Sequence, residues 1–325
     1  MNDVLVSIIC CTYNHEDYIA DAIESFLMQK TNFKYEILIH DDASTDKTTD
    51  IIKKYTKKYP DLIKPIYQIE NQYSKGVKVD YLNSKRALGK YIATCEGDDY
   101  WTDPYKLQKQ IDYLESNAEC VLCVHAAKKI DITSKEIVGE VRPCNQNKIF
   151  SVEEIIEGGG GLFATNSMVY RRKVNEPRPR FYMDCHVGDY PMMIYLAICG
   201  KVYYMDEFMS AYRVGVEGSW TNRTFMCTER IINHYKNINQ MLDNVNDYTK
   251  GKYETVIKRT KLRNEFKILM SLGCYKEVKT GEYKIFYDKL SKTEKVKIFM
   301  KQHFPNIIKI LKHVKGSIGY GHCNK

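Results

Sequence analysis

The sequence lacks the marks of a membrane-spanning, secreted or disulfide-stapled chain. In its 325 residues no apolar run is long enough for a membrane span. Met1-Asn2-Asp3 leads straight into a strand, not into the basic region and apolar segment of a signal peptide. The eleven cysteines are odd in number and scattered, several inside apolar runs (Cys10, Cys11, Cys120, Cys123). That is a poor disulfide framework and reads as reduced thiols in a cytoplasm. Cys120-Val121-Leu122-Cys123 has CxxC spacing without a partner CxxC, so it reads as a packed strand and not as a zinc or redox site. The eight histidines offer no pair at metal-ligand spacing. No GxGxxG follows the first strand, which excludes a dinucleotide oxidoreductase. The glycine-rich basic loop usual early in a metal-dependent nucleotidyltransferase is also missing.

Acidic residues are scarce in one region. From Tyr283 onward ten lysines face only Asp288 and Glu294, which accounts for the whole net charge of +8 and leaves the body nearly neutral. A non-enzymatic protein that binds nucleic acid would rest on this tail alone, which has neither a recognised motif nor aromatics interleaved on a sheet, so no nucleic-acid partner is expected. Lys295 to Lys315 is a basic amphipathic stretch broken by Pro305. Two readings stand: residues 283–325 lie on anionic lipid at the inner face of the cell membrane, or they form a helical lid packed on the first domain.

The rest of the chain is rich in pattern. Val4 to Cys10 is apolar and β-branched enough for a strand buried on both faces of a parallel sheet. The helix after it carries Ile19, Ala22, Ile23, Phe26 and Leu27 at helical spacing. A second strand, Tyr35 to Ile39, ends in His40-Asp41-Asp42-Ala43-Ser44-Thr45-Asp46 before another helix, and further strands are expected at Leu62 to Gln68 and Tyr91 to Cys95. Asp103-Pro104 starts a helix, Cys120 to Ala126 is a strand, and Ile130 to Phe150 holds loops or edge strands. Met168 to Tyr170, Val202 to Tyr204 and Ala211 to Arg213 read as short strands, and Asp189 opens a helix that stops at Gly200. Beyond Ser219 to Thr221 only helical periodicity remains, in Thr224 to Asn244 and Tyr253 to Leu272. The βαβα start predicts an α/β fold with its ligand at the strand ends.

Glu96-Gly97-Asp98-Asp99 stands at such an end. Successive strand residues face opposite ways, so one aspartate can turn to a sugar hydroxyl and the other to a cation. Hard carboxylate oxygens suit Mg2+ or Mn2+ carrying a diphosphate.

Four motifs occur in order: Cys11-Thr12-Tyr13-Asn14, Asp41-Asp42-Ala43-Ser44-Thr45-Asp46, Glu96-Gly97-Asp98-Asp99 and Gly188-Asp189-Tyr190. This series resembles the inverting glycosyltransferases of family 2, over roughly the first two thirds of the chain. The resemblance implies a GT-A fold, a mostly parallel sheet with helices on both faces, here with a helical C-terminal extension. The resemblance stops short of the helical tail: the boundary read near Ser219 to Thr221 gives a catalytic domain at 1–220, with a nucleotide-binding half at 1–100 and an acceptor-side half at 101–220, and a helical basic region at 221–325. The resemblance implies a metal-dependent hexosyltransferase of surface polysaccharide synthesis, with a nucleotide-sugar donor (a UDP-sugar favoured) and a glycan or lipid-linked saccharide as acceptor. By motif match, Cys11, Thr12 and Tyr13 shape the base pocket and Asp42 contacts the base. Asp98 contacts the ribose, Asp99 holds the metal and Asp189 is the catalytic base. A helix N-terminus beside Asp189 is expected to favour its charged form and so weaken it as a base. One departure is visible. After Tyr212-Arg213 many family members have a histidine that joins the metal or diphosphate, and this chain has Val214-Gly215-Val216-Glu217. Either that contact is missing or Arg213, Glu217 or Trp220 takes over part of it; Asn166, Arg213 and Trp220 are the candidates for acceptor or diphosphate contacts.

Overall fold

The computed structural model describes residues 4–304, so the start of the chain and the tail beyond Phe304, including the second half of the Lys295 to Lys315 stretch, lie outside it. Strand β1 (Val6–Thr12) lies parallel between β2 (Tyr35–Asp41) and β4 (Tyr91–Thr94), with β3 (Ile63–Tyr67) outside β2. Its apolar residues are divided by the two-residue period of a strand: Val6, Ile8 and Cys10 enter one core, Ile9 the other. Helix α1 (Ile19–Leu27) covers the first face with Ile19, Ala22, Ile23 and Phe26, and α2 (Thr48–Lys58) adds Ile52 to the same core. Helix α3 (Val79–Lys85) lies against β1.

Next come β5 (Tyr100–Trp101), α4 (Lys106–Ser116) and the long β6 (Cys120–Asp131). Cys120 and Cys123 are buried in β6, and the ten cysteines among the described residues are all free thiols. The stretch left as loops or edge strands contains β7 (Ile137–Val141) and β8 (Lys148–Phe150), each paired antiparallel at the side of the main sheet. Helix α5 (Val152–Gly158) is capped by a Ser151–Glu154 capping box. After it follow β9 (Val169–Arg171), α6 (Arg180–Met183), α7 (Asp189–Cys199) and β10 (Lys201–Val214). The sheet order is β3-β2-β1-β4-β9-β6-β10-β5. It is parallel from β3 to β4 and mixed beyond, because β9 runs antiparallel to both β4 and β6. The two short strands expected at 202–204 and 211–213 are one strand. Register shifts around Met205 and Phe208 absorb the Asp206-Glu207 pair that interrupts its apolar pattern.

The C-terminal part is helical: α8 (Trp220–Phe225), α9 (Thr228–Tyr248), α10 (Glu254–Leu272), α11 (Lys284–Asp288) and α12 (Lys292–His303). Ile238, Met241, Leu242 and Val245 of α9 share an apolar core with Met193, Ile194 and Leu196 of α7. Each such side chain contributes about 1.5–3 kcal/mol on burial, so α9 is held firmly to that core.

Candidate active site

Thr12 and Asp41 are neighbours in the β1–β2 register, so the two polar strand ends emerge side by side. The loops that follow are laced together. Asn14 N–H donates to Ser44 Oγ, Thr45 N–H to Asn14 Oδ1, His15 N–H to Thr48 Oγ1, Glu16 N–H to Asp46 Oδ2 and Lys47 N–H to Glu16 Oε2. Asn14 adopts a left-handed backbone (φ 55°), which its residue type tolerates. Tyr13 is left 44% exposed, a ring available for stacking, while Cys11 is half-buried and Thr12 buried. Asp42 is buried, and its two oxygens accept the N–H groups of Gln72 and Tyr73 at 2.8 and 2.9 Å, fixing the loop after β3.

The acidic segment turns closely under β1. A Cβ at Gly97 would stand 2.6 Å from Thr12 Oγ1 and 3.0 Å from His15 Nδ1, so only glycine fits there. Asp99 is buried, and both its oxygens are engaged: Oδ2 accepts Asn166 Nδ2 at 2.9 Å and Oδ1 accepts the Arg213 N–H at 2.8 Å. Asn166 is itself used up, donating to the Ala211 carbonyl and accepting from Ser210 Oγ. Arg213 donates to the Asp98 carbonyl, pairs with Asp21 and stacks on Tyr100 and Tyr18. Asn166 and the Arg213 backbone therefore brace Asp99; both amide N–H groups of Asn166 are spent, whereas the Arg213 guanidinium keeps N–H donors beyond those used on Asp98 and Asp21. Asp98 is half-buried, 4.0 Å from His15 Nε2, and Glu96 is half-buried beside it. Burial, with the charge of Asp98, pushes Glu96 up to about 8, and burial with Asp98 and Glu96 pushes Asp99 well above its ordinary value. His15 is lowered by burial against the opposing pull of Asp98, and the buried Thr12 Oγ1 and His15 Nδ1 have no hydrogen-bond partner. Crowded carboxylates beside unpartnered polar atoms fit a divalent cation. No group of three or more metal-ligating side chains occurs among the described residues; an ion held here would take one or two carboxylates and complete its shell with phosphate oxygens and water.

Asp189 opens α7, and its charge is felt at Glu96. Its Oδ1 accepts the Tyr190 N–H at 2.7 Å, and a Cβ at Gly160 would come within 3.9 Å of it, so the four-glycine loop lies over the carboxylate. Burial raises its pKa and outweighs the opposing Tyr190 N–H and Lys78, contrary to the expectation from the helix N-terminus. A raised carboxylate is a better base at neutral pH. Trp220, half-buried, packs on His186 and His234 at 6.2 and 5.1 Å between ring centroids. Lys78, His15, His186 and His234 escaped the sequence reading. Nothing in local spacing marks a lysine whose partners lie more than 100 residues away.

This arrangement, two laced strand ends with an acidic third end facing a carboxylate at a helix start, sits on a GT-A nucleotide-diphospho-sugar transferase fold. The family model described as Glycosyl transferase family 2 matches residues 7–176, more than half of the chain, and the chain belongs to that family. An uncharacterized protein of Mycobacterium tuberculosis is 37% identical over 220 residues, 66% of this chain; the chain spans 60% of the length of that relative. The Escherichia coli UDP-Glc:alpha-D-GlcNAc-diphosphoundecaprenol beta-1,3-glucosyltransferase is 42% identical over 113 residues, 34% of this chain and 42% of its own. A mannosyltransferase from Pyrobaculum calidifontis in complex with GDP-Man and Mn2+ shares the fold. Its TM-score is 0.60 at 14% identity, covering 91% of this chain and 84% of that one.

Proposed function

We propose that the protein is an inverting, metal-dependent glycosyltransferase that moves a sugar from a nucleotide-sugar donor to a hydroxyl of a glycan in surface polysaccharide synthesis. The observation that carries this reading is that Asp189, at the start of α7, stands near enough to the Glu96–Asp98 carboxylates for its charge to be felt at Glu96. The Mn2+-bound mannosyltransferase of the same fold supports the metal. The Escherichia coli relative supports a UDP-sugar and a lipid-linked acceptor.

Tyr13 stacks on the base, and Asp42, its Oδ1 shared by the Gln72 amide and His40 Nε2 and its Oδ2 held by the Tyr73 amide, takes the base edge with the remaining lone pair of Oδ2. Asp98 and Glu96, the half-accessible carboxylates, would face the cation and ribose, while Asp99 holds the turn through Asn166 and the Arg213 amide and keeps one further lone pair on each oxygen with which it could join the cation. A divalent cation bound there neutralises the charge that develops on the leaving diphosphate. Asp189 removes the proton of the acceptor hydroxyl as that oxygen attacks the anomeric carbon from the face opposite the leaving group, which inverts the centre. Trp220, packed on His186 in the loop that leads into Asp189, is the platform for an acceptor sugar.

Release of nucleoside diphosphate from a panel of nucleotide sugars, with and without Mn2+, tests the reading alongside Asp98→Asn and Asp189→Asn. Metal-independent turnover that neither substitution changes would sink it. Helix α12 leaves Val296 and Phe299 exposed among lysines, which supports contact with an anionic membrane. Deleting the residues after Thr280 then lowers binding to anionic liposomes; full retention rules the contact out.

A further inference from the structure

Asp189 follows directly on loop 185–188, and that loop is gripped from two sides by groups remote in sequence. From the nucleotide-binding side, Lys78 Nζ donates to the carbonyl oxygens of Cys185 and, at 3.1 Å, Val187. From the C-terminal helices, His234 of α9 meets His186, with Nδ1 of the first 2.9 Å from Nε2 of the second. Trp220 and Phe225 wall in the pair, their ring centroids 5.1 and 5.7 Å from that of His234.

The chemistry of the pair is that of two neutral rings. His186 Nδ1 is buried without a hydrogen-bond partner. Putting the shared proton on His186 Nε2 leaves an unpaired acceptor there, whereas the reverse tautomer buries an unpaired N–H, so His186 is the donor. The charged groups facing the rings are both cations, Lys78 at His186 and Lys267 of α10 at His234. Burial, with His186 and Lys267, pushes His234 down to about 4, and burial and Lys78 lower His186. The bond therefore persists unprotonated through the neutral range.

We propose that His186 and His234 are positioning residues: their hydrogen bond fixes loop 185–188 to α9 and sets where the Asp189 carboxylate stands, which makes the C-terminal helices part of the active site. The proposal rests on Asp189 being the base. Misplacing a reacting group by about 1 Å costs on the order of 100-fold in rate. The apolar residues that dock α9 do not depend on the imidazoles, so the helix stays in place when the bond is lost.

The test uses the full chain with His234→Ala, His234→Asn, His186→Gln and Asp189→Asn, each assayed for kcat, donor KM, melting temperature and the pH profile of kcat. An asparagine amide can occupy the place of the imidazole Nδ1, and a glutamine amide that of Nε2. His234→Ala is expected to lower kcat about 10- to 100-fold, with donor KM changed less than about two-fold and the melting temperature nearly kept. The acid limb of its pH profile should move to lower pH, because a loosened Asp189 is better hydrated. His234→Asn and His186→Gln should recover most of the loss. A kcat within about two-fold of the parent in His234→Ala overturns the proposal. So does a stability loss with an unchanged rate per folded molecule. If Asp189→Asn is itself active, the base reading falls and takes this one with it. If Asp189→Asn is dead while His234→Ala is normal, only the role of the pair falls.

Discussion

The two walls of the cleft are built in opposite ways. On the donor side, residues 14–16 and 44–48 are stitched to each other across adjacent strand ends, and Gly97 presses under them. On the opposite side Asp189 stands on a loop tied by Lys78 and His234, beneath the glycine run 158–161, where a Cβ added at Gly161 would meet nothing within 4 Å. A preformed donor wall facing an adaptable one suits an enzyme that reads one nucleotide closely and leaves room for an acceptor. The largest expected effect lies on the adaptable wall. Asp189→Asn should cut kcat by about 10²–10⁴ while leaving donor binding near its original value, as measured by transfer assay and nucleotide titration. Equal losses in both would place Asp189 on the donor side and break the contrast.

Glycines probe the same difference with a smaller effect. Gly97→Ala forces a methyl group to within 2.6 Å of Thr12 Oγ1 and should cost about 1–3 kcal/mol of stability in denaturant titrations. Gly161→Ala has open space around it and should cost well under 1 kcal/mol. Comparable losses at the two sites would mean that the walls are equally rigid.

How much of this was legible in the sequence follows the same division. The meeting of the first two strand ends was, because each motif is a polar cluster at the end of a buried apolar run, and a parallel sheet brings such ends together. The Asp189 motif was visible, but its electrostatics were not: the helix N-terminus is a local feature, whereas the burial that outweighs it comes from the glycine loop and distant segments. Asn166 and Arg213 are residue types suited to ligand contacts, yet their hydrogen bonds go to Asp99 and its neighbours. No spacing rule links Lys78 to Val187 or His186 to His234. The single strand β10 was divided in two because Asp206 and Glu207 hide a bulge.

Asp98 and Asp99, adjacent in sequence, bring the comparison down to two side chains. Asp99→Asn puts an amide where both neighbours are N–H donors, so one hydrogen bond becomes a donor facing a donor. The expected loss is about 1–3 kcal/mol, seen as a lower melting temperature with or without cation. Asp98→Asn should leave the melting temperature of the cation-free protein nearly unchanged and weaken Mn2+-dependent donor binding. If Asp99→Asn is fully stable and loses only cation binding, the division of labour is reversed.

The last effect concerns pH. Glu96 has its pKa raised from 4.5 to about 8 in the folded protein, first by burial and then by Asp98. A folded-state pKa above the unfolded one means that the protonated form contributes stability in full below the unfolded value, and that this is lost as pH rises through the folded value. Cation-free protein should therefore lose stability between pH 4.5 and about 8, by no more than about 1.4 kcal/mol per pH unit for this one proton. A cation favours the ionised carboxylate, so binding releases the proton, and Mn2+ affinity should rise with pH up to about 8 and then level off. Melting curves at several pH values with and without Mn2+ should separate progressively toward pH 8, and Glu96→Gln should hold the separation constant. A separation in the parent protein that does not vary with pH would remove Glu96 from the cation site and leave Asp98 as the carboxylate that faces it.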